Sequence, residues 1–295
     1  GKDVTESGRK TEQAVAARDS LARLLYGRLF KLLIAKINAL LAGKDAKKTA
    51  FFGILDIAGF ESFETNSLEQ LCINLSNEHL QSHFNNHVFK TELAEYQAEG
   101  IDVGDIKFED NADIIALIDS RSSILSILDE EVSVPKATDL TFVNKVSKAL
   151  GSHPRYVKPK GASDLFFGVQ HFAGKVTYSV KGFLEKNVDK PPDEAADLFQ
   201  TSSNTVLQEI GEELAGGDAG GGKPGGRAPK KSKTVSSGFR TSLASLVSKL
   251  TEAEPHFIRC VKPNPDKVPD KLVSTTVMDQ LTCSGVLEAV RIRQS

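Results

Sequence analysis

The run Asp56-Ile57-Ala58-Gly59-Phe60-Glu61 carries an acid, then a glycine three residues on, then a second acid. It follows Phe51-Phe52-Gly53-Ile54-Leu55, which is apolar on both faces, as a central strand covered by helices on either side would be. Open α/β sheets bind ligands at the carboxyl edge of their strands, and Asp56 stands at that edge. A carboxylate there can hold a water bound to magnesium, and a glycine lets a backbone N–H approach a phosphate closely. The same residues also read as an ordinary strand-to-turn sequence.

Other residues invite weaker readings. His79, His83 and His87 recur every four residues, a spacing that can present metal ligands from one helix face, but Glu78 lies off that stripe and no local carboxylate completes a site. A packed or solvated stripe is the expectation. Cys72, Cys260 and Cys283 are the three cysteines, far apart and in no metal-ligand spacing, which argues against a zinc site and a disulfide framework and for a reduced, intracellular chain. A phosphate cradle of the form G-x-x-x-x-G-K-[ST] is absent, since Gly43-Lys44, Gly174-Lys175 and Gly222-Lys223 continue to Asp45, Val176 and Pro224.

The elements that must position these groups follow from periodicity. Leu21, Leu25, Leu29, Leu32, Leu33 and Ile37 predict a helix with one buried face over Thr11 to Leu41, ending at Gly43. Phe51 to Ile57 predicts the central strand. From Ser67 to about Ala98 there is neither Pro nor Gly, and Asn66 with Glu69 resembles a capping box. One helix of roughly 32 residues would span on the order of 48 Å, a length suited to a lever or coupling rod.

Further helices are predicted near Asn111 to Asp119, Ile124 to Glu130 and Asp139 to Leu150, with a turn at Val134-Pro135-Lys136. Phe166 to Val180 reads as a hairpin about Ala173-Gly174, and Pro191-Pro192 opens a helix to about Ile210. Residues 216–233 hold seven Gly, two Pro, five Lys or Arg and one acid, a composition that buries too little apolar surface to fold. A helix over Phe239 to Leu250, a strand over His256 to Val261 and a helix from Thr275 complete the pattern.

With 295 residues the chain allows about two domains. Its net charge of -2 offers no global basic field for nucleic acid or a membrane surface, so an electrostatic partner must be met by a local patch. No run of 18 apolar residues occurs, and the stretch Gly1-Lys2-Asp3-Val4-Thr5 carries no secretory apolar region. Gly1 at the start and Val290-Arg291-Ile292-Arg293-Gln294-Ser295 at the finish, without a stop signal, read as an interior piece of a longer chain.

Ordered blocks then become specific. Gly53-Ile54-Leu55-Asp56-Ile57-Ala58-Gly59-Phe60-Glu61, with Asn66-Ser67-Leu68-Glu69-Gln70-Leu71-Cys72-Ile73-Asn74 and Asn77-Glu78, resembles the switch II segment and relay helix of a myosin motor. Asp19-Ser20-Leu21-Ala22-Arg23 resembles the helix before it, and Val134-Pro135-Lys136-Ala137-Thr138-Asp139 the tip of the helix-loop-helix in the lower actin-binding half, with Val134 where many relatives carry an aromatic. His171-Phe172-Ala173-Gly174-Lys175 and Leu184-Glu185-Lys186-Asn187 resemble parts of the same half. His256 to Asn264 resembles the strand after the actin-binding surface loop, and Gln280 to Glu288 the start of the reactive-thiol helices.

The resemblance implies an α/β fold like that of the P-loop NTPases: part of a central mixed sheet flanked by helices, plus a mainly helical actin-binding subdomain. Its divisions would be a helical part at 1–50, switch II and relay at 51–100, the lower actin-binding subdomain at 101–210, a disordered Gly/Lys surface loop at 211–238, and a helix, sheet strand and thiol-helix start at 239–295. ATP and Mg are the implied cofactors. Asp56 would sit in the second shell of the magnesium, the Gly59 amide would bond the γ-phosphate, and Glu61 would pair with an arginine of switch I. Such a loop can bias a two-state equilibrium and gate phosphoryl transfer without a covalent nucleophile.

Actin filaments are the implied partner, met by Val134, Pro135 and Lys136 and by the basic Lys230, Lys231 and Lys233, with light chains or calmodulin on a neck outside the chain. Asp3 takes the place of an acid or phosphorylatable hydroxyl on an actin-facing loop. Cys283 has a family-position claim to reactivity, with a buried inert thiol as the default. The cytoplasm and cytoskeleton are the implied location, without nucleic acid or membrane contact. Taken alone the piece is expected to be inactive, since the phosphate cradle and switch I would lie upstream. A catalytically degenerate, actin-binding tether is the alternative.

Overall fold

A computed structural model describes residues 8, 10–42, 51–87, 91–100, 110–161, 163–188, 195–217, 234–287 and 290. The chain divides into two units: residues 1–55 with 189–233, and residues 56–188 with 234–295.

The larger unit is built around α2 (Leu68–Asn85), whose Leu68, Leu71 and Leu75 turn one buried stripe inward. Against it pack α4 (Ala112–Ile118) and α10 (Val235–Glu252). The helix pair α5 (Ile124–Glu131) and α6 (Asp139–Leu150) joins the same core through Leu125, Leu128, Phe142 and Val146. Its sheet is antiparallel in the order β1-β2-β3, with β1 at Tyr156–Val157, β2 at Phe166–His171 and β3 at Gly174–Ser179.

Phe167 faces Tyr178 across the β2–β3 ladder and both are fully buried, so the hairpin turns one aromatic face to the core. Gly174 takes φ 135° at the turn, a conformation open to glycine and poor for other residues. Helix α7 (Phe183–Asn187) follows, and α11 (Ser274–Cys283) closes the unit.

The smaller unit sets α1 (Thr11–Leu41) beside α8 (Ala195–Gln200) and α9 (Thr205–Gly217). Ala195, Phe199 and Ile210 are buried against Leu21, Leu24 and Leu25, and Arg28–Glu213 (2.7 Å) and Lys36–Glu209 (2.9 Å) tie α1 to α9. The buried face expected along α1 holds only in its first half: Leu33, Ile37, Leu40 and Leu41 are exposed.

Several expectations are corrected. Phe51–Ile57 forms no strand, and Phe52 and Ile54 are 88% and 84% exposed. His256–Val261 is likewise irregular, with Ile258 at 86%. A central strand exists only through its neighbours' ladder, and among the described residues neither segment has one. The central mixed sheet is therefore not formed among the described residues; the observed sheet is the small antiparallel one.

The start of α2 is shifted by one residue: the Gln70 side-chain Oε1 accepts from Ser67 N–H (2.9 Å), while the buried Asn66 side chain accepts from Phe63 N–H and donates to the Phe63 and Thr177 carbonyls. The long rod is described as α2, widening into a π turn at Asn86–His87, and α3 (Thr91–Ala98). Its unbroken passage between them rests on residues 88–90, outside the described set. The helix expected to reach Ile210 is instead α8 and α9, separated at 201–204, and the Pro191-Pro192 start and the Gly43 stop also fall outside.

Candidate functional site

The Asp56–Glu61 loop is irregular, and its conformation is set by α2. Asn74, fully buried, makes a two-point clamp on the backbone of one residue: its Oδ1 accepts from Glu61 N–H (2.8 Å) and its Nδ2 donates to Glu61 O (2.8 Å). An asparagine amide thereby does for the loop what a neighbouring strand would do for a ladder. One turn earlier Gln70 donates to the Glu61 carboxylate (3.2 Å), and one turn later Asn77 donates to Ala58 O (3.0 Å). Positions 70, 74 and 77 share a helix face at spacings of four and three, so a single face of α2 holds the loop.

Phe60 stands edge-on to His171 and Phe172 at the hairpin tip, with centroid distances of 5.2 and 5.5 Å. Thus the loop is fixed to both α2 and the β2–β3 hairpin.

Asp56 and Gly59 are exposed and Glu61 is half-buried. A Cβ built at Gly59 would meet nothing within 4 Å, so the protein's own packing does not demand glycine there and the space beside its backbone is open. The donor set fits a magnesium-bound phosphate in kind: an exposed carboxylate at 56, an unobstructed backbone at 59 and a held carboxylate at 61. The sequence contains no phosphate-cradling loop to accompany them.

Val134, Pro135 and Lys136 form an exposed turn between α5 and α6. Lys136 has φ 63°, a left-handed conformation that costs a non-glycine residue about 1–2 kcal/mol. The platform beneath is well fastened. Thr141 donates to Glu131 (2.7 Å), Thr138 caps α6 by accepting from Thr141 N–H (3.2 Å), and Asp139 accepts from Gly182 N–H (2.7 Å) and Leu184 N–H (3.2 Å). Lys230, Lys231, Lys233 and Asp3 lie outside the described residues.

Along the histidine stripe, as elsewhere among the described residues, no cluster of three metal-ligating side chains occurs. His83 and His87 lie against Phe257 instead. Burial lowers the pKa of His79, with Asp119 and Glu78 opposing, and its Nε2 is buried without a hydrogen-bond partner. Burial, aided by the charges of Glu69 and Asp129, pushes the Cys72 thiol up to about 12, which makes it inert, and burial also raises Cys283; Cys260 is exposed.

The residues missed from sequence are Gln70, Asn74 and Asn77. Their shared helical face was a readable signal, although polar residues so spaced look the same on a solvated face.

The sequence profile described as "Myosin head (motor domain)" matches residues 1–295. The chain is 41% identical over 288 residues to "Myosin-I heavy chain" of Dictyostelium discoideum, covering 97% of this chain and 12% of that protein. It is 40% identical over 296 residues to "Myosin-2" of Arabidopsis thaliana, covering 100% and 24%, and 42% identical over 307 residues to "Myosin-3" of Caenorhabditis elegans, covering 99% and 16%.

Proposed function

Because the chain belongs to the myosin head (motor domain) family, we propose that it is the part of an actin-based, ATP-driven motor that senses the nucleotide and carries the change toward the filament. It spans less than a quarter of the length of the curated relatives named above, so the activity is that of a longer protein. The observation that carries this reading is the fastening of Asp56–Glu61 to one face of α2 through Gln70, Asn74 and Asn77. A loop so tied cannot shift without moving the helix or breaking those bonds, which is the mechanical requirement of a switch.

Magnesium-bound ATP would supply the transferable phosphate and the charge that the loop reads. Asp56 would hold a water of the metal, the Gly59 N–H would donate to the terminal phosphate, and Glu61 would close the gate with an arginine elsewhere in the head. Val134, Pro135 and Lys136, on their fastened turn, would dock an apolar patch of actin. Lys230, Lys231 and Lys233 would add charge steering, Asp3 a negative charge on an actin-facing loop, and light chains or calmodulin would bind a neck outside this chain. A cytoskeletal location follows from actin binding; no helix among the described residues is long and apolar enough to cross a membrane.

The apolar, uncovered segments Phe51–Ile57 and Phe257–Val261 support a further part of the proposal: irregular here, they would become strands of a central mixed sheet once paired with neighbours from the rest of the head. The boundaries at 50 and 100 are retained as the motor's working divisions, whereas α9 runs through 210 and α10 through 238, so the expected surface loop is narrowed to the residues between these two helices.

The test is actin-stimulated phosphate release by the complete head carrying Glu61→Ala. Release should fall by orders of magnitude; normal release would remove Glu61 from the gate, and a wild-type head that binds actin without any turnover would leave only a tether.

A further inference from the structure

Behind the loop lies a buried polar chain that the nucleotide reading leaves unused. The Asn74 side chain directs its second hydrogen to the Tyr178 hydroxyl (2.8 Å). Tyr178 lies 2.8 Å from His171 Nε2, and His171 Nδ1 lies 2.9 Å from Glu78 Oε1. Glu78 also accepts from Phe172 N–H (3.2 Å) and from Asn111 Nδ2 (2.6 Å). Asn74, Tyr178, His171 and Glu78 are all at most 1% exposed.

The hydrogen bonds order this chain from its carboxylate end. A carboxylate at Glu78 can only accept, so with one hydrogen on the His171 ring that hydrogen lies on Nδ1 and Nε2 accepts. The Tyr178 hydroxyl then donates to Nε2, and burial, which raises its pKa above the usual phenol range, keeps it protonated for that purpose. With its hydrogen committed, the Tyr178 oxygen can only accept from Asn74. Asn74 Nδ2 is thereby turned toward Tyr178 and Glu61 O, which leaves Oδ1 facing Glu61 N–H. A flipped amide would set oxygen against oxygen at both contacts.

We propose that Tyr178, His171 and Glu78 are positioning residues: they fix the amide orientation of Asn74 and, through it, the Glu61 peptide of the phosphate-sensing loop. The site thus depends on a carboxylate and an imidazole that never touch the nucleotide. This rests on the assignment of Asp56–Glu61 as that loop.

The decisive experiment uses the complete head with Tyr178→Phe, which removes one oxygen and keeps the buried ring. Single-turnover ATP cleavage, ATP affinity and thermal midpoint are measured together, with Glu61→Ala alongside. Losing the bond that ties Asn74 to Tyr178 should slow cleavage about tenfold while ATP affinity stays within about twofold.

An unchanged cleavage rate overturns the proposal whatever the thermal midpoint does, and so does a loss of rate and affinity in parallel with loss of folded protein. If Tyr178→Phe does not fold, Asn74→Asp takes its place: it is isosteric, removes both donated hydrogens and is judged by the same split. Normal turnover by Glu61→Ala would defeat the loop assignment itself. Impaired Glu61→Ala with wild-type Tyr178→Phe defeats the positioning role alone.

Discussion

Asp129 offers the sharpest stability test in the larger unit. Its Oδ1 accepts from Asn187 Nδ2 (2.9 Å), Thr234 Oγ1 (2.5 Å) and the Ser236 hydroxyl, and Arg240 Nη1 lies 3.6 Å from Oδ2. Asn187 and Ser236 are fully buried and Thr234 is 3% exposed, so none of the three donors can turn to water. The same residues seat the start of α10: Ser236 N–H donates to Asn187 Oδ1 (2.8 Å), Ser237 N–H to Thr234 Oγ1 (3.1 Å), and Val188 bridges Thr234.

Asp129→Ala strands three buried donors at once. At about 1–1.5 kcal/mol each, with incomplete additivity, the expected cost is about 3–4 kcal/mol. Asp129→Asn retains an acceptor and loses charge beside the half-exposed Arg240, and should cost about 1 kcal/mol. Amide exchange at Ser236 and Ser237 reads the opening locally: Asp129→Ala should lower protection roughly 150-fold or more and Asp129→Asn about fivefold. For a unit of about 200 residues the thermal midpoint should fall by roughly 6–16 °C in Asp129→Ala. An alanine variant within about 1 kcal/mol of wild type, or an asparagine variant as damaging as alanine, would refute the clamp.

Two further outcomes are expected. Gly285 has φ 68°, and a Cβ there would crowd the end of the Gln81 side chain, whose amide bonds Asn85 and Arg259. Gly285→Ala should therefore cost about 2–3 kcal/mol in urea unfolding, and a loss below about 1 kcal/mol would mean that this junction yields freely. His79 is buried and its folded pKa lies below the ordinary 6.5, so the native state binds fewer protons than the unfolded chain in that window. Stability should be fully present above about pH 6.5 and fall as pH drops toward the folded pKa, and His79→Gln should flatten that part of the curve. An unaltered slope in the glutamine variant would place the proton uptake elsewhere.

Local signals were legible where local chemistry decides the outcome. Helix α6 begins at Asp139 as expected because Thr138 caps it from an adjacent position, and the hairpin turns at Phe172-Ala173-Gly174 because glycine relieves the strain there. The ordered blocks around Asp56–Glu61 and Val134–Asp139 named the family without any coordinate, and the profile match over residues 1–295 agrees. The strand expected at Phe51–Ile57 failed for a physical reason: an apolar run fixes what a segment needs to bury, whereas a ladder needs a partner.

The support of the loop was equally hidden. Gln70, Asn74 and Asn77 look like solvated helix polarity until the fold presents the loop to them. Tyr178 lies 104 residues from Asn74 and Thr234 lies 105 from Asp129, so no periodicity could join them. Sequence alone determined which residues can donate, accept or turn. Burial decided which of them are compelled to find one another, because only in the dry interior does an unmet hydrogen bond cost enough to select a single arrangement.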